Sequence, residues 1–175
     1  MDVKKYSTVL LAAVTVIMAA AIVTANLPAV ESLNDIDIAR PSDATLSHVA
    51  YVHDGDTLYL QPDGTSARDH QIKIRLIGID TPELRPEPEC FGFEARDYLR
   101  SVLPEGTEVW IMHDREPVDQ YGRSLLYLWT TDDRSVNLDL VKNGYATALN
   151  IAPSNTYWQQ FDAAESDAQH AGAGL

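Results

Sequence analysis

The sequence predicts a mainly β domain with packed helices, of the α+β class: a five-stranded, partly open Greek-key barrel plus three helices. Three observations carry this expectation. Five short runs, near residues 46–52, 58–60, 72–77, 109–111 and 125–129, alternate side chains with the period of two that suits strands with one buried face. Three longer segments carry apolar stripes at helical spacing, one after the third run and two after the fifth. A chain of 175 residues is enough for one ordinary domain, and five strands are too few for a typical sandwich.

The first segment lies outside that domain. Residues 6–30 hold no charged side chain, and an apolar run from Thr8 to Val23 follows Lys4 and Lys5. A short basic stretch leading into an apolar one reads as an export signal, with Val23-Thr24-Ala25 as its cleavage site, or as an uncleaved anchor near the lower length limit for spanning a bilayer. Both readings of residues 1–25 put the rest of the chain outside the cytoplasmic membrane, secreted or tethered. Residues 26–44, with Pro28 and Pro41 and little periodicity, read as a linker. The domain is expected over residues 45–171, with 172–175 as a tail.

Within the domain, Leu46, His48, Ala50 and Val52 share one strand parity and Val49 and Tyr51 the other. Asp54-Gly55 marks a turn in which the glycine takes positive φ, after which Leu58, Tyr59 and Leu60 resume a strand. In the third run Ile72, Ile74 and Leu76 alternate with Lys73, Arg75 and Ile77, and the strand is expected to stop at Pro82, which lacks a backbone donor. These three strands read as an antiparallel meander. Pro82, Pro86 and Pro88 force an irregular loop, and a helix is expected from Cys90 to Leu103 with Phe91, Ala95, Tyr98 and Val102 as its stripe. A second helix covers Val136 to Asn143 and ends at Gly144 as a left-handed cap. The third starts near Thr156, with Thr156 and Gln159 in a capping box and Tyr157, Phe161, Ala164 and Ala168 facing the core, and Gly172 and Gly174 close it.

Composition narrows the function. With 26 acidic residues against 13 basic ones and a formal charge of −13, the surface argues against nonspecific nucleic-acid binding through a basic face, while leaving room for a small positive site. Such acidity with few lysines resembles proteins of strongly saline environments, where salt screens self-repulsion. The single cysteine, Cys90, allows no internal disulfide and is expected to pack as a small hydrophobe. His48, His53, His70, His113 and His170 have no common ligand spacing.

Three polar clusters remain: Asp54-Gly55-Asp56-Thr57, Arg75 with Asp80-Thr81-Pro82-Glu83, and Asp119-Gln120-Tyr121-Gly122-Arg123. Carboxylates and carbonyls are hard oxygen ligands for Ca²⁺ or Mg²⁺, and the planar fork of arginine suits a phosphate. Metal-assisted attack on a phosphodiester needs both, to orient water and to stabilise charge on the phosphoryl oxygens. Taken singly, each residue also has a plain reading. Asp56 suits a turn, Arg75 an outward strand position beside a surface carboxylate, Asp80 and Glu83 a loop, and Asp119 to Gly122 a turn that delivers Arg123.

Together the motifs are more specific. Val52-His53-Asp54-Gly55-Asp56-Thr57, Arg75-Leu76-Ile77-Gly78-Ile79-Asp80-Thr81-Pro82-Glu83, Asp119-Gln120-Tyr121-Gly122-Arg123, and Val136-Asn137 with Leu140-Val141 and Gly144-Tyr145-Ala146 occur in one order. Over residues 46–170 the chain resembles the staphylococcal nuclease (thermonuclease) family. The resemblance implies an oligonucleotide-binding (OB) fold barrel and a Ca²⁺-dependent endonuclease of DNA and RNA that cleaves on the 5′-oxygen side and leaves 3′-phosphate ends. It implies that Asp56 and Asp80, with the Thr81 backbone carbonyl, hold Ca²⁺ or another divalent cation. Arg75 and Arg123 would bind phosphate oxygens and stabilise the transition state, Arg123 also lying near the leaving oxygen. Glu83 would orient or deprotonate the attacking water, Asp54 would shape the metal loop, Asp119 would support the turn before Arg123, and Tyr121 would assist substrate placement. Asn150 and Ala152 stand where stacking tyrosines are expected, and Gln120 where a basic residue is frequent, so a sequence-tolerant stacking platform is missing. The competing reading is a noncatalytic nucleic-acid-binding OB-fold domain. The expected partners are DNA and RNA substrates, the N-terminal segment offers attachment to a membrane, and no segment asks for a protein partner, so a monomer is expected.

Overall fold

The computed structural model describes residues 36–65 and 70–175. The expected export or anchor segment and residues 26–35 of the expected linker lie outside the described residues, as do residues 66–69 between the second and third strands. In chain order the strands are β1 (Thr45–Val52), β2 (Thr57–Pro62), β3 (Ile72–Leu76), β4 (Ile79–Asp80), β5 (Glu108–Met112), β6 (Ser124–Thr130) and β7 (Thr147–Ala148). The helices are α1 (Gly92–Val102), α2 (Val136–Lys142) and α3 (Trp158–Ala171).

The five long strands close fully in the order β1-β2-β3-β6-β5, rather than remaining partly open. Closure follows from β1, which pairs antiparallel with β2 along one edge and with β5 along the other. Its register shifts between Val49 and Tyr51, and such an irregularity bends a strand and increases its twist. The shift also breaks the expected parity. Ser47, Val49 and Val52 are the buried positions, so His48 and Ala50 lie half exposed. The β3–β6 pair is parallel, with Ile74 opposite Ser124, Arg75 opposite Leu125 and Leu76 opposite Leu126. Leu58, Leu60, Ile74, Leu76, Val109 and Leu128 fill the barrel, all nearly inaccessible to solvent. Ile72, expected to share their face, begins its strand at the rim and stays exposed.

β3 stops at Leu76, well before Pro82, because Gly78 turns the chain with φ 81°. A side chain there would be strained, and a Cβ would lie 2.3 Å from Cε2 of Phe161, so the same glycine lets α3 sit on the turn. Beyond it β4 pairs with β7, Asp80 opposite Thr147, in a small second sheet that alternation did not reveal. Asn137 of α2 joins these parts. Its Oδ1 accepts from the Leu128 N–H at 2.9 Å, and its Nδ2 donates to the carbonyls of Ile77 at 2.9 Å and Leu126 at 3.3 Å.

Local expectations are corrected at several further points. Thr156 does not cap α3: its hydroxyl and N–H both go to Asp114, and Tyr157 holds the N-cap position without a side-chain bond. Cys90 is exposed ahead of α1, whose buried face consists of Gly92, Ala95 and Leu99. The stretch from residue 36 to 44 packs on the barrel: Ile38 is buried and its carbonyl accepts from the Trp129 indole at 2.8 Å. Among the described residues, no helix is long and apolar enough to cross a membrane.

Candidate active site

The site forms where the start of β2 meets the end of β3. Thr57 stands opposite Arg75, and the Leu76 N–H continues the ladder to the Asp56 carbonyl at 2.9 Å. Asp56 and Arg75 are therefore held side by side by backbone bonds before their side chains interact. The loop before β2 is closed by Asp54, whose Oδ1 accepts from the N–H groups of Asp56 at 3.2 Å and Thr57 at 2.7 Å. Gly55 does not take the expected positive φ. Its requirement is space, since a Cβ would lie 2.7 Å from Oγ1, 2.8 Å from Cβ and 2.9 Å from Cγ2 of Thr81.

Thr81 uses that proximity. Its N–H and hydroxyl both donate to Asp56 Oδ2, at 3.0 and 2.9 Å, while the Thr57 hydroxyl donates to Oδ1 at 3.2 Å. Arg75 completes the group, with Nη1 at 2.5 Å from Asp56 Oδ2 and Nη2 at 2.6 Å from Asp80 Oδ1. One planar guanidinium thus spans a carboxylate that is 8% exposed and another that is 53% exposed. Burial pushes the Asp56 carboxyl up to about 6, with Arg75 and the Thr81 bonds opposing the rise and the Asp54 charge adding to it.

Asp119, Tyr121 and Arg123 make a second cluster just before β6. Asp119 Oδ1 accepts from the N–H groups of Tyr121 and Arg123, both at 2.9 Å, and Oδ2 accepts from Arg123 Nε at 2.6 Å. Partial burial would raise this carboxyl, but those donors outweigh it and hold Asp119 below the usual carboxylate range. The Arg123 guanidinium lies 5.6 Å from the ring centre of Tyr121, which is 76% exposed. No hydrogen bond or ion pair among the described residues joins the two clusters. The chain nevertheless brings them to neighbouring strands: Arg75 pairs with Leu125 in the parallel β3–β6 ladder, and Arg123 directly precedes Ser124, the first residue of β6, which stands opposite Ile74.

Glu83 is exposed on the loop after β4. Glu89 clips that loop, its Oε2 accepting from the Glu83 N–H at 2.9 Å and its own N–H donating to the Glu83 carbonyl at 2.8 Å. Glu83 and Asp54 share the wall of one cleft, so the loop faces the Asp56 turn. Glu89 is the supporting residue that motif reading missed, and no signal in the sequence marked it. Gly55 and Thr57 stood inside the quoted cluster, where a turn explained them without the contacts to Thr81 and Asp56.

The chemistry of the oxygens fits a hard divalent cation, supplied by the Asp56 and Asp80 carboxylates and the Thr81 carbonyl. Asp56 Oδ2 already accepts from three donors and Oδ1 from one, so Oδ1 has the larger remaining acceptor capacity. Among the described residues no group of three or more His, Cys, Asp or Glu side chains gathers around a common metal position, so the shell would be completed by carbonyl and water oxygens.

Comparison with known proteins bears on the family. The family described as "Staphylococcal nuclease homologue" matches residues 73–175, a span that includes every candidate residue except Asp54 and Asp56. Those two enter through the loop beside Arg75 and Thr81. The thermonuclease of Staphylococcus intermedius is 36% identical over 124 residues, covering 69% of this chain and 70% of that protein. The thermonuclease of Staphylococcus hyicus is 34% identical over 124 residues, 69% of each chain. Endonuclease YhcR of Bacillus subtilis is 38% identical over 130 residues, 67% of this chain but 10% of that much longer protein. With a closed five-stranded barrel, three helices and these matches, the chain belongs to the staphylococcal nuclease family.

Proposed function

We propose that this chain is a metal-dependent endonuclease that hydrolyses phosphodiester bonds of DNA and RNA, using Ca²⁺ and leaving 3′-phosphate ends. The observation that carries the reading is the single guanidinium of Arg75 set between Asp56 and Asp80. Arg123 directly precedes β6, the strand that pairs with β3. Such a site sets a phosphate-binding fork beside hard oxygen donors, the two kinds of group that phosphodiester hydrolysis requires. The relatives named as thermonucleases and as an endonuclease support it.

Asp56, Asp80 and the Thr81 carbonyl would hold the cation, which when bound supplies positive charge beside the phosphoryl oxygens. Arg75 and Arg123 bind those oxygens and stabilise the negative charge that builds on them. Asp119 presets Arg123 by fixing Nε, which limits the reorganisation needed on binding. Glu83 orients a water molecule and takes its proton as the water oxygen bonds to phosphorus. The bond from phosphorus to the 5′ oxygen breaks, and that oxygen leaves with a proton from solvent. The products are a 3′-phosphate and a 5′-hydroxyl. The same reading places the enzyme outside the cytoplasmic membrane, secreted or anchored through residues 1–25, as a monomer suited to saline surroundings.

The test is incubation of the purified protein with single-stranded DNA and with RNA across salt concentrations, in Ca²⁺ or chelator, followed by end-group analysis. Cation-dependent cleavage with 3′-phosphate ends is expected. Absence of cleavage at every salt concentration overturns the enzyme reading, and 5′-phosphate ends overturn the assigned cleavage side.

A further inference from the structure

We propose that the cleft beside Glu83 is a second substrate-binding site, which takes the single-stranded polynucleotide segment adjoining the scissile phosphate. The inference rests on the nuclease reading and adds to it a strand-binding surface separate from the positions of the absent tyrosines.

The cleft has a volume of about 510 Å³, within the ~300–1,000 Å³ typical of ligand pockets. Asp54 and Glu83 form part of its wall, so it continues directly from the candidate active site. Beyond them the lining changes sign: Arg85, Arg96 and Arg100 are three of only 13 basic residues in a chain of net charge −13. Arg100 is held in the wall by donation from Nε and Nη2 to the Val52 carbonyl, at 3.3 and 3.0 Å. Arg96 is fixed on Asp97 and lies 5.0 Å from the ring centre of Phe93. Arg85 is exposed, with no ion pair among the described residues.

Phe93 is 47% exposed although it sits on an amphipathic helix that had apolar neighbours available on its buried face. Phe93 and Tyr121 are the two aromatic rings among the described large apolar side chains left exposed, and each carries an arginine against its face. A base stacks on such a ring without regard to its sequence, while a guanidinium beside it meets the phosphate. An acidic peptide would match the arginines but would leave the ring without a role. The Asn150 and Ala152 side chains are exposed and offer no ring, so the cleft supplies on α1 what that surface lacks.

Steady-state cleavage by the full-length protein of a single strand of about 20 nucleotides and of a trinucleotide tests the assignment. In Phe93→Ala the KM for the long strand is expected to rise about tenfold, with kcat on that strand changing less than about twofold, and Phe93→Tyr to recover it. In Arg85→Ala the preference for the long over the short substrate falls, and the slope of log KM on log salt flattens by ~0.7, one phosphate contact. Equal losses on both substrates, or no loss on either, overturn the cleft assignment while leaving the nuclease intact. Failure of the wild-type protein to cleave any strand overturns the nuclease reading and this inference with it.

Discussion

Gly55→Ala isolates the contact on which the loop and the Asp56 carboxylate both depend. Gly55 has no positive φ, so alanine adds no backbone strain, and in open space it would stabilise by ~0.4–1 kcal/mol through the unfolded chain. Here its methyl meets three Thr81 side-chain atoms at 2.7 to 2.9 Å. Thr81 is buried and β-branched, so it cannot swing aside at one torsion without leaving Asp56. Overpacking costs ~1–3 kcal/mol. Weakening the two bonds to Asp56 Oδ2 adds ~1.5–3 kcal/mol for a charged acceptor. The net expectation is a loss of roughly 2–4 kcal/mol, measured by urea unfolding at pH 7 in chelator. Thr81→Gly removes all three atoms that clash, so Gly55→Ala on that background is expected to cost less than about 1 kcal/mol, a coupling that a double-mutant cycle reads directly. A cost below about 1 kcal/mol in the wild-type background, or the same cost in both, refutes the packing argument.

Three further outcomes are expected from the packing and burial of Asn137, Gly78 and Asp56. Asn137→Ala leaves the buried Leu128 N–H and Ile77 carbonyl without their side-chain partner and is expected to cost about 2–5 kcal/mol in urea unfolding; a loss under about 1 kcal/mol contradicts the bridge. Gly78→Ala combines φ 81° with a 2.3 Å approach to Phe161 and is expected to cost about 2–5 kcal/mol, which Gly78→Ala/Phe161→Leu partly recovers. Asp56, at about 6 when folded against 3.8 for the ordinary group, binds its proton more tightly in the folded state. Its contribution to stability is therefore full below pH 3.8 and is lost as pH rises through about 6, roughly 3 kcal/mol in all. In chelator, Asp56→Asn should gain on the wild type across that window, and parallel stability curves would contradict the assignment.

The alternation of Ile74 and Leu76 with Arg75 was legible because its period is local, and it set the arginine outward next to a buried pair. The closure of the barrel was not, since it depends on β1 pairing at both edges around a register shift that no residue type announces. β4 and β7 are two residues long, too short to carry a period, and exist because Gly78 turns the chain onto α3. Thr156 had the pattern of a cap but a stronger partner in Asp114, 42 residues away in sequence. In the site, residue types pointed to hard-oxygen and phosphate-binding chemistry, and the family resemblance singled out the particular carboxylates and arginines. The bridge from Asp56 through Arg75 to Asp80 is tertiary, as is the space that Gly55 leaves for Thr81.

The central claim is that Arg75 and Arg123 act on one phosphoryl group, and it is tested most directly by kcat for single-stranded DNA cleavage in the Arg75→Ala, Arg123→Ala and doubly substituted proteins. Each single change is expected to lower kcat by about 10²–10³-fold, and the double change by little more than the worse single one, because groups that stabilise one transition state are strongly non-additive. Unchanged kcat in either single variant, or losses that simply multiply, would contradict the shared site.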